Sequence, residues 1–422
     1  MINVCSQFKI VIIFISALLL TSCGGGGGGG GTASTGGTPA ASTATGIFRD
    51  SNTAGLSYVS GAQTGVTDAN GQFTYEVGGM VTFSVGGVTL GTTLGKTIIT
   101  PVDLVAGGSS SSVEVQNITR FLLMLDEDGN SANGINISAA AQTASANWVQ
   151  VNFLTADLPS ELTSIISDAA TADNGNHTLP NTTSAQTHLE ETILCTYAGA
   201  YRGTYTGNDN GTFGLLVDAN NGNVSGLAYS TDSQEDIILS GTDSVSFDQN
   251  AAFVSGNTST GASFSGRFTS TNALTGTWEN SPDSGGFSGS RIGGSNNARY
   301  RYTGSYSGGD SGLFSFDIDA LNNVSGVSYS IAGDELLNIS GTLSGSVLTI
   351  TSVNGTSISG SLNTTTGSLS GTWSDSTEGT SGTFTGSGCE LNAPPSTSPA
   401  NSQSIDGFAV ASPISGGNVK LY

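Results

Sequence analysis

The chain has 422 residues, with 32 acidic against 10 basic side chains and a formal charge of −22. That balance excludes nucleic acid and anionic lipid headgroups as partners, because both are held through a basic face. Charged residues make up only 10% of the chain, against about 25% in ordinary soluble proteins, and the Gly, Ser, Thr and Asn that fill the gap fit extracytoplasmic β structure.

Lys9 precedes an apolar run over residues 10–20. One charge before an apolar core of that length is the pattern of an export signal, residues 1–22. The run is too short to cross a ~30 Å hydrocarbon layer, which takes about 20 residues. The next residues, Leu20-Thr21-Ser22-Cys23, resemble the lipobox of bacterial lipoproteins. The resemblance implies cleavage before Cys23, lipidation of Cys23, and a membrane partner held through that lipid. Gly24 follows the cysteine where Asp does not. By the same resemblance, this implies an outer-membrane location in a Gram-negative cell, on its surface or its periplasmic face. Loss of the signal removes Lys9 alone, leaving nine basic against 32 acidic residues, or −23. A glycine run over 24–31, continued by Thr, Ala, Ser and Gly to residue 45, has nothing to bury and predicts a flexible tether. Its mean reach is about 20–30 Å.

Residues 46–105 alternate apolar and polar positions between turn signals. Phe73-Thr74-Tyr75-Glu76-Val77 follows the turn residues Asp68-Ala69-Asn70-Gly71, and Val81-Thr82-Phe83-Ser84-Val85 runs into Gly86-Gly87. This period of two predicts a small antiparallel β-sandwich. The segment Gly65-Val66-Thr67-Asp68-Ala69-Asn70-Gly71-Gln72-Phe73-Thr74-Tyr75 resembles the hairpin of carboxypeptidase-regulatory-like, transthyretin-like β-sandwiches. The resemblance implies an accessory module without catalysis.

Residues 106–195 change period. Val113, Ile118, Phe121, Leu122 and Leu125 recur at helical spacing, and two more helices are expected near 160–170 and 184–194, making a short helical linker region. The first helix ends at Asp126-Glu127-Asp128-Gly129-Asn130. Its alternating oxygen ligands look like a calcium loop, but position six is Ser131 and position twelve is Ile137, so a solvated turn is the preferred reading. His177 and His188, the two histidines, have no Cys or His at metal-ligand spacing and are expected at the surface.

The stretch from 196 to 390 is duplicated. Tyr201-Arg202-Gly203-Thr204-Tyr205-Thr206-Gly207 returns as Tyr302-Thr303-Gly304-Ser305-Tyr306-Ser307-Gly308, and Leu274-Thr275-Gly276-Thr277-Trp278 returns as Leu369-Ser370-Gly371-Thr372-Trp373. Val224-Ser225-Gly226 and Leu239-Ser240-Gly241 recur as Val324-Ser325-Gly326 and Ile339-Ser340-Gly341. An internal repeat follows, with boundaries 196–294 and 295–390. Apolar–Ser/Thr–Gly triplets every 10 to 18 residues or so predict a duplicated antiparallel β-meander closing as a barrel or a sandwich. About eight strands per copy would let each close alone; the flanking cysteines suggest instead one joint unit. Residues 391–422 read as a weakly ordered tail.

With Cys5 in the signal and Cys23 lipidated, Cys195 and Cys389 remain and bracket the repeats. In an oxidising compartment they are expected to form a disulfide worth roughly 4–5 kcal/mol, two free thiols being the alternative. Trp278 and Trp373 are assigned to the core or a barrel plug, stacking on a ligand being the alternative. Tyr201, Tyr205, Tyr302 and Tyr306 are the candidate ligand-facing aromatics. Neither a Gly-x-Ser-x-Gly elbow, a His-Glu-x-x-His motif nor a phosphate loop occurs. No catalytic residue, cofactor or metal is therefore assigned, and Asp218 and Asp319, equivalent in the two copies, are read as surface turns. The sequence thus points to a non-enzymatic envelope lipoprotein that binds or adheres through its repeats to a glycan or to an envelope or host protein. A structural or assembly component is the second reading. A carbohydrate-active enzyme is the third, since a glycosidase needs only two carboxylates.

Overall fold

The computed structural model describes residues 41–391 apart from 243–246, 249–252, 271, 295–297, 331–334 and 364–365. The export signal, Cys23, the tether up to residue 40 and the tail beyond Leu391 lie outside the described residues.

The first strands are β1 (Thr43–Phe48), β2 (Thr53–Ala54), β3 (Ser57–Ser60), β4 (Gln63–Val66), β5 (Gln72–Glu76), β6 (Met80–Val85), β7 (Val88–Leu94) and β8 (Ile98–Ile99). All but β2 make two small sheets, β5-β1-β8 and β4-β3-β6-β7. The turn into β5 forms because Asp68 Oδ1 accepts the N–H groups of Asn70 and Gln72, both at 2.9 Å. Gly71 completes it at φ +72°, where a side chain would be strained. Alternation along β6 turns Val81, Phe83 and Val85 inward, and Phe83 meets Phe48 at 4.9 Å and Phe73 at 5.0 Å. The sandwich is not purely antiparallel: β8 pairs with β1 in parallel. Parallel neighbours need a long crossover, here the hairpins between them, and local patterning carries no sign of it.

Next come α1 (Val113–Met124), β9 (Ile135–Asn136), α2 (Ala139–Ala144), α3 (Leu158–Asp173) and α4 (Thr182–Tyr197). β9 pairs in parallel with β2. The stripe Val115, Ile118, Phe121 and Leu122 of α1 is fully buried, and one apolar core runs from Phe48 through these helices to Leu274 in the repeats. The helices are thus packed into the body of the fold.

The first repeat is β10 (Gly199–Gly207), β11 (Gly211–Val217), β12 (Val224–Ser230), β13 (Asp236–Gly241), β14 (Phe253–Thr258), β15 (Ser263–Ser270), β16 (Ala273–Asn280) and β17 (Asp283–Ile292). The second is β18 (Ala298–Gly308), β19 (Gly312–Asp319), β20 (Asn323–Ser330), β21 (Glu335–Ser344), β22 (Val347–Ser352), β23 (Ser357–Asn363), β24 (Ser368–Asp375) and β25 (Thr380–Glu390). Each repeat closes by itself into an eight-stranded antiparallel barrel, first strand against last. Closure leaves no open edge to aggregate.

The triplets now have a physical meaning. Their apolar residue and their glycine both point inward and the hydroxyl between them points out. In the second barrel Gly360 and Gly371 face each other across β23 and β24, and the ring of Phe384 lies over the pair. A Cβ on Gly371 would stand 2.6 Å from both Gly360 Cα and Phe384 Cε1. Gly266, Gly276 and Phe287 repeat this arrangement in the first barrel. The opposing atom is backbone and cannot swing away. Gly371→Ala should therefore cost roughly 1–3 kcal/mol by overpacking, read as a lower denaturant midpoint. An unchanged midpoint would show that the ring does not occupy the glycine seat.

The barrels meet the rest of the chain at the end of α4. The carbonyl groups of a last helical turn lack intrahelical donors, and here two arginines supply them. Arg291 donates to the carbonyls of Thr196, at 3.0 Å, and Ala198. Arg301 donates to those of Cys195 and Thr196, both at 3.3 Å, and grips Asp317 at 2.9 and 3.0 Å. Tyr197 stacks on Phe268 at 4.9 Å, closing this end of the first barrel. Cys195 at the tip of α4 is disulfide-bonded to Cys389 on β25.

Candidate functional site

Each barrel has a cavity at the end away from α4. In the first it measures about 240 Å³ and is walled by Tyr205, Phe213, Phe264, Trp278 and Phe287. In the second it measures about 380 Å³ and is walled by Tyr306, Phe314, Phe316, Trp373 and Phe384. Loops between successive strands form both rims. The interior of an eight-stranded barrel is just wide enough to be filled by side chains or to hold one small ligand.

The two cavities are built alike. Tyr205 stands edge-on to Trp278 at 6.2 Å, and Tyr306 to Trp373 at 5.8 Å. The Tyr205 hydroxyl donates to Asp209 Oδ2 at 3.0 Å while Ser230 Oγ donates to Oδ1 at 2.7 Å. In the second barrel Tyr306 and Ser330 donate to the two oxygens of Asp310 at 3.1 and 3.0 Å. Each indole N–H donates to a carbonyl of the first strand, Trp278 to Thr206 at 3.3 Å and Trp373 to Ser307 at 3.2 Å. Burial, with Asp209 alongside, pushes the Tyr205 phenol up to about 12. Burial and Asp310 raise Tyr306 likewise. Both phenols therefore stay protonated and act as donors.

The four tyrosines divide by position. All point inward, but Tyr201 and Tyr302 are 0% and 1% exposed, away from the two cavities. There the Tyr201 hydroxyl donates to the Tyr197 carbonyl at 2.7 Å and accepts from Arg291 at 2.8 Å. Of the four, Tyr205 and Tyr306 line the end cavities. Trp278 and Trp373 pack within the barrel wall and line the cavities as well.

Both histidines are withdrawn from the surface, contrary to expectation. His177 is buried between Asp173 and the Met124 carbonyl, each at 2.8 Å. His188 Nε2 lies 3.3 Å from Asp50 Oδ1, and its Nδ1 lies 3.4 Å from Ser131 Oγ. This puts a serine, a histidine and an aspartate in line, a set that sequence spacing does not show. The hydroxyl contact is long, and the cavity at neighbouring Ser51 is about 20 Å³, room for one water and no substrate. Burial disfavours the imidazolium of His188, but Asp50 outweighs it and raises the pKa above 6.5. A raised histidine contributes stability that is complete below about pH 6.5 and is lost as pH rises through its folded value. The melting-temperature gap between wild type and His188→Gln should thus be widest near pH 6 and shrink by pH 9. A gap that grows over that range would reverse the assignment.

The calcium-like loop is a turn held by its own donors. Asp128 accepts from Asn130 N–H at 2.9 Å and Asn133 Nδ2 at 2.7 Å. Asp126 is buried rather than solvated, with Oδ1 accepting from Asn136 N–H at 2.9 Å. Burial, with Asp128 beside it, raises its carboxyl to about 7. Asp218 and Asp319 each accept backbone N–H groups of the following residues, as surface turns do. Among the described residues no three His, Cys, Asp or Glu side chains come together as a metal site, and no helix is long and apolar enough to cross a membrane.

Fold and cavities together define a protein of two tandem eight-stranded barrels, each with an aromatic-walled end cavity, docked on a mixed sheet-and-helix module. Neither a protein-family model nor a curated protein matches the chain. Among solved structures it is similar to a point mutant of the vaccine antigen transferrin binding protein B from Haemophilus parasuis. That match has 8% identity and a TM-score of 0.17 over 46% of this chain and 76% of that one. It is also similar to a protein of unknown function of the DUF3598 family from Nostoc punctiforme. Here the identity is 9% and the TM-score 0.16, over 48% of this chain and 98% of that one. At these scores the likeness carries no argument, and the functional reading rests on the cavities.

Proposed function

We propose that this protein is a non-enzymatic, lipid-anchored envelope protein that binds through its barrels, each end cavity receiving an apolar part of a ligand. One observation carries the reading. The duplication keeps, at equivalent places, not only core residues but a hydrogen-bonded Tyr-Asp-Ser set and an edge-on Tyr-Trp pair around an opening. A barrel that only needed to be stable would fill that end with aliphatic side chains. Lipid on Cys23 and the tether after it would hold the barrels at the outer membrane, with a glycan or an envelope or host protein as the natural source of the ligand.

The test is titration with a neutral apolar reporter dye, N-phenyl-1-naphthylamine. Saturable binding at two sites per chain is expected, with one site lost in Trp278→Ala and the other in Trp373→Ala. Dye binding that both variants retain would refute the reading. Protease shaving of intact cells then separates a surface location from a periplasmic one.

The assembly reading draws on a different feature. Val59, Met80 and Leu94, on the sheet β4-β3-β6-β7, are 51%, 54% and 56% exposed. Concentration-dependent self-association of the ectodomain would favour it.

A further inference from the structure

Resting on the reading of the cavities as binding sites, we infer that both are selective for an organic cation, an ammonium group on a short apolar body. The rim of the first carries Asp209, Glu235 and Asp283. That of the second carries Asp310, Glu335, Asp375 and Glu378. Among the described residues no Lys, Arg or His lines either cavity. The basic side chains at the barrel ends, Arg291, Arg299 and Arg301, lie at the opposite, α4 end, where they engage the helix carbonyls, Glu390 and Asp317. Arg202 and Arg267 are exposed on the outer wall of the first barrel. Each cavity is therefore an aromatic chamber behind a polar rim whose charged residues are all acidic.

Three physical effects act in the same direction there. An ammonium group is drawn to the electron-rich faces of Trp and Tyr. A low-dielectric cleft lined by one sign of charge concentrates ions of the other sign. An anion meets the rim carboxylates with nothing to offset them, which rejects it actively. A neutral apolar molecule gains only the burial of its surface. The order of affinity should therefore be cation, then neutral, then anion, in both barrels. The ammonium group is the shared chemistry of a free amine and of a choline or ethanolamine headgroup.

Calorimetric titration of the full ectodomain with hexyltrimethylammonium, 1-hexanol and hexanoate tests this. The cation should bind at two sites per chain, at least about tenfold tighter than hexanol, a difference of about 1.4 kcal/mol, with hexanoate weakest. Added salt should weaken the cation alone. Neutralising the first rim with Asp209→Asn, Glu235→Gln and Asp283→Asn should bring the tight sites from two to one and leave hexanol unaffected. Glu235→Gln alone, at an exposed position, gives the same direction without risk to folding. Equal affinity for the three probes, or two tight cation sites surviving the neutralised rim, would overturn the inference while leaving the cavities as apolar sites. Failure of all three probes would remove the binding reading itself. Flotation with phosphatidylcholine vesicles then tells a headgroup from a free cation as the source.

Discussion

Replacing Cys195 and Cys389 together by alanine should lower the unfolding free energy by roughly 4–5 kcal/mol. The bond closes a loop of 194 residues that contains the whole of the first barrel and nearly all of the second. In the chain-entropy account the unfolded state gains most when a long loop is released. Cys195 is buried beside Ala298 and Leu391, with Cys389 packed against them. Alanine keeps that site apolar where serine would add a hydroxyl. The second barrel loses its covalent tie to α4, so denaturant unfolding should also separate into two steps, with this barrel melting first. A double variant with the wild-type midpoint and one transition would show that packing alone secures the junction.

Arg301→Met should cost about 3–5 kcal/mol, the range for removing one partner of a buried ion pair. Arg301 and Asp317 are 7% and 1% exposed and meet through a two-pronged contact. The same guanidinium caps the carbonyls of Cys195 and Thr196, so its loss strips donors from a helix end as well as a cation from a carboxylate. Arg301→Lys keeps the charge but not the fork, and should recover only part of the loss. A double variant with Asp317→Asn should be less destabilised than the sum of the singles. If Lys restored full stability, the charge rather than the geometry would be what matters.

The parts of this fold that were legible in the sequence are those set by local patterning. Inward alternation along β11, with Phe213, Leu215 and Val217, and along β19, with Phe314, Phe316 and Ile318, is readable because side chains alternate across a strand. The duplication was readable from its landmarks. Helices α1, α3 and α4 announced themselves by spacing, while α2, six residues of mostly Ala, carries no apolar stripe. What stayed hidden depends on residues far apart. Whether eight strands close as a barrel is decided by β10 meeting β17, a pairing that joins Tyr201 to Arg291.

The candidate site was half legible for the same reason. Spacing of four along β10 and β18 puts Tyr201 with Tyr205, and Tyr302 with Tyr306, on one face. It cannot say that one member of each pair is fully buried and the other lines an opening. Asp209 and Asp310 read as loop residues, and only the fold brings Ser230 and Ser330 to them. Asp50 and His188 are far apart in the chain, beyond the reach of any motif.

The bond between Cys195 and Cys389 also decides how the molecule carries mechanical load. A pull between the N-terminal sheets and the second barrel has a covalent shortcut from α4 into β25. The first barrel hangs outside the line of tension as a closed side loop. Force along that path would strain a single S–S linkage and the α4 helix, and leave eight hydrogen-bonded strands slack.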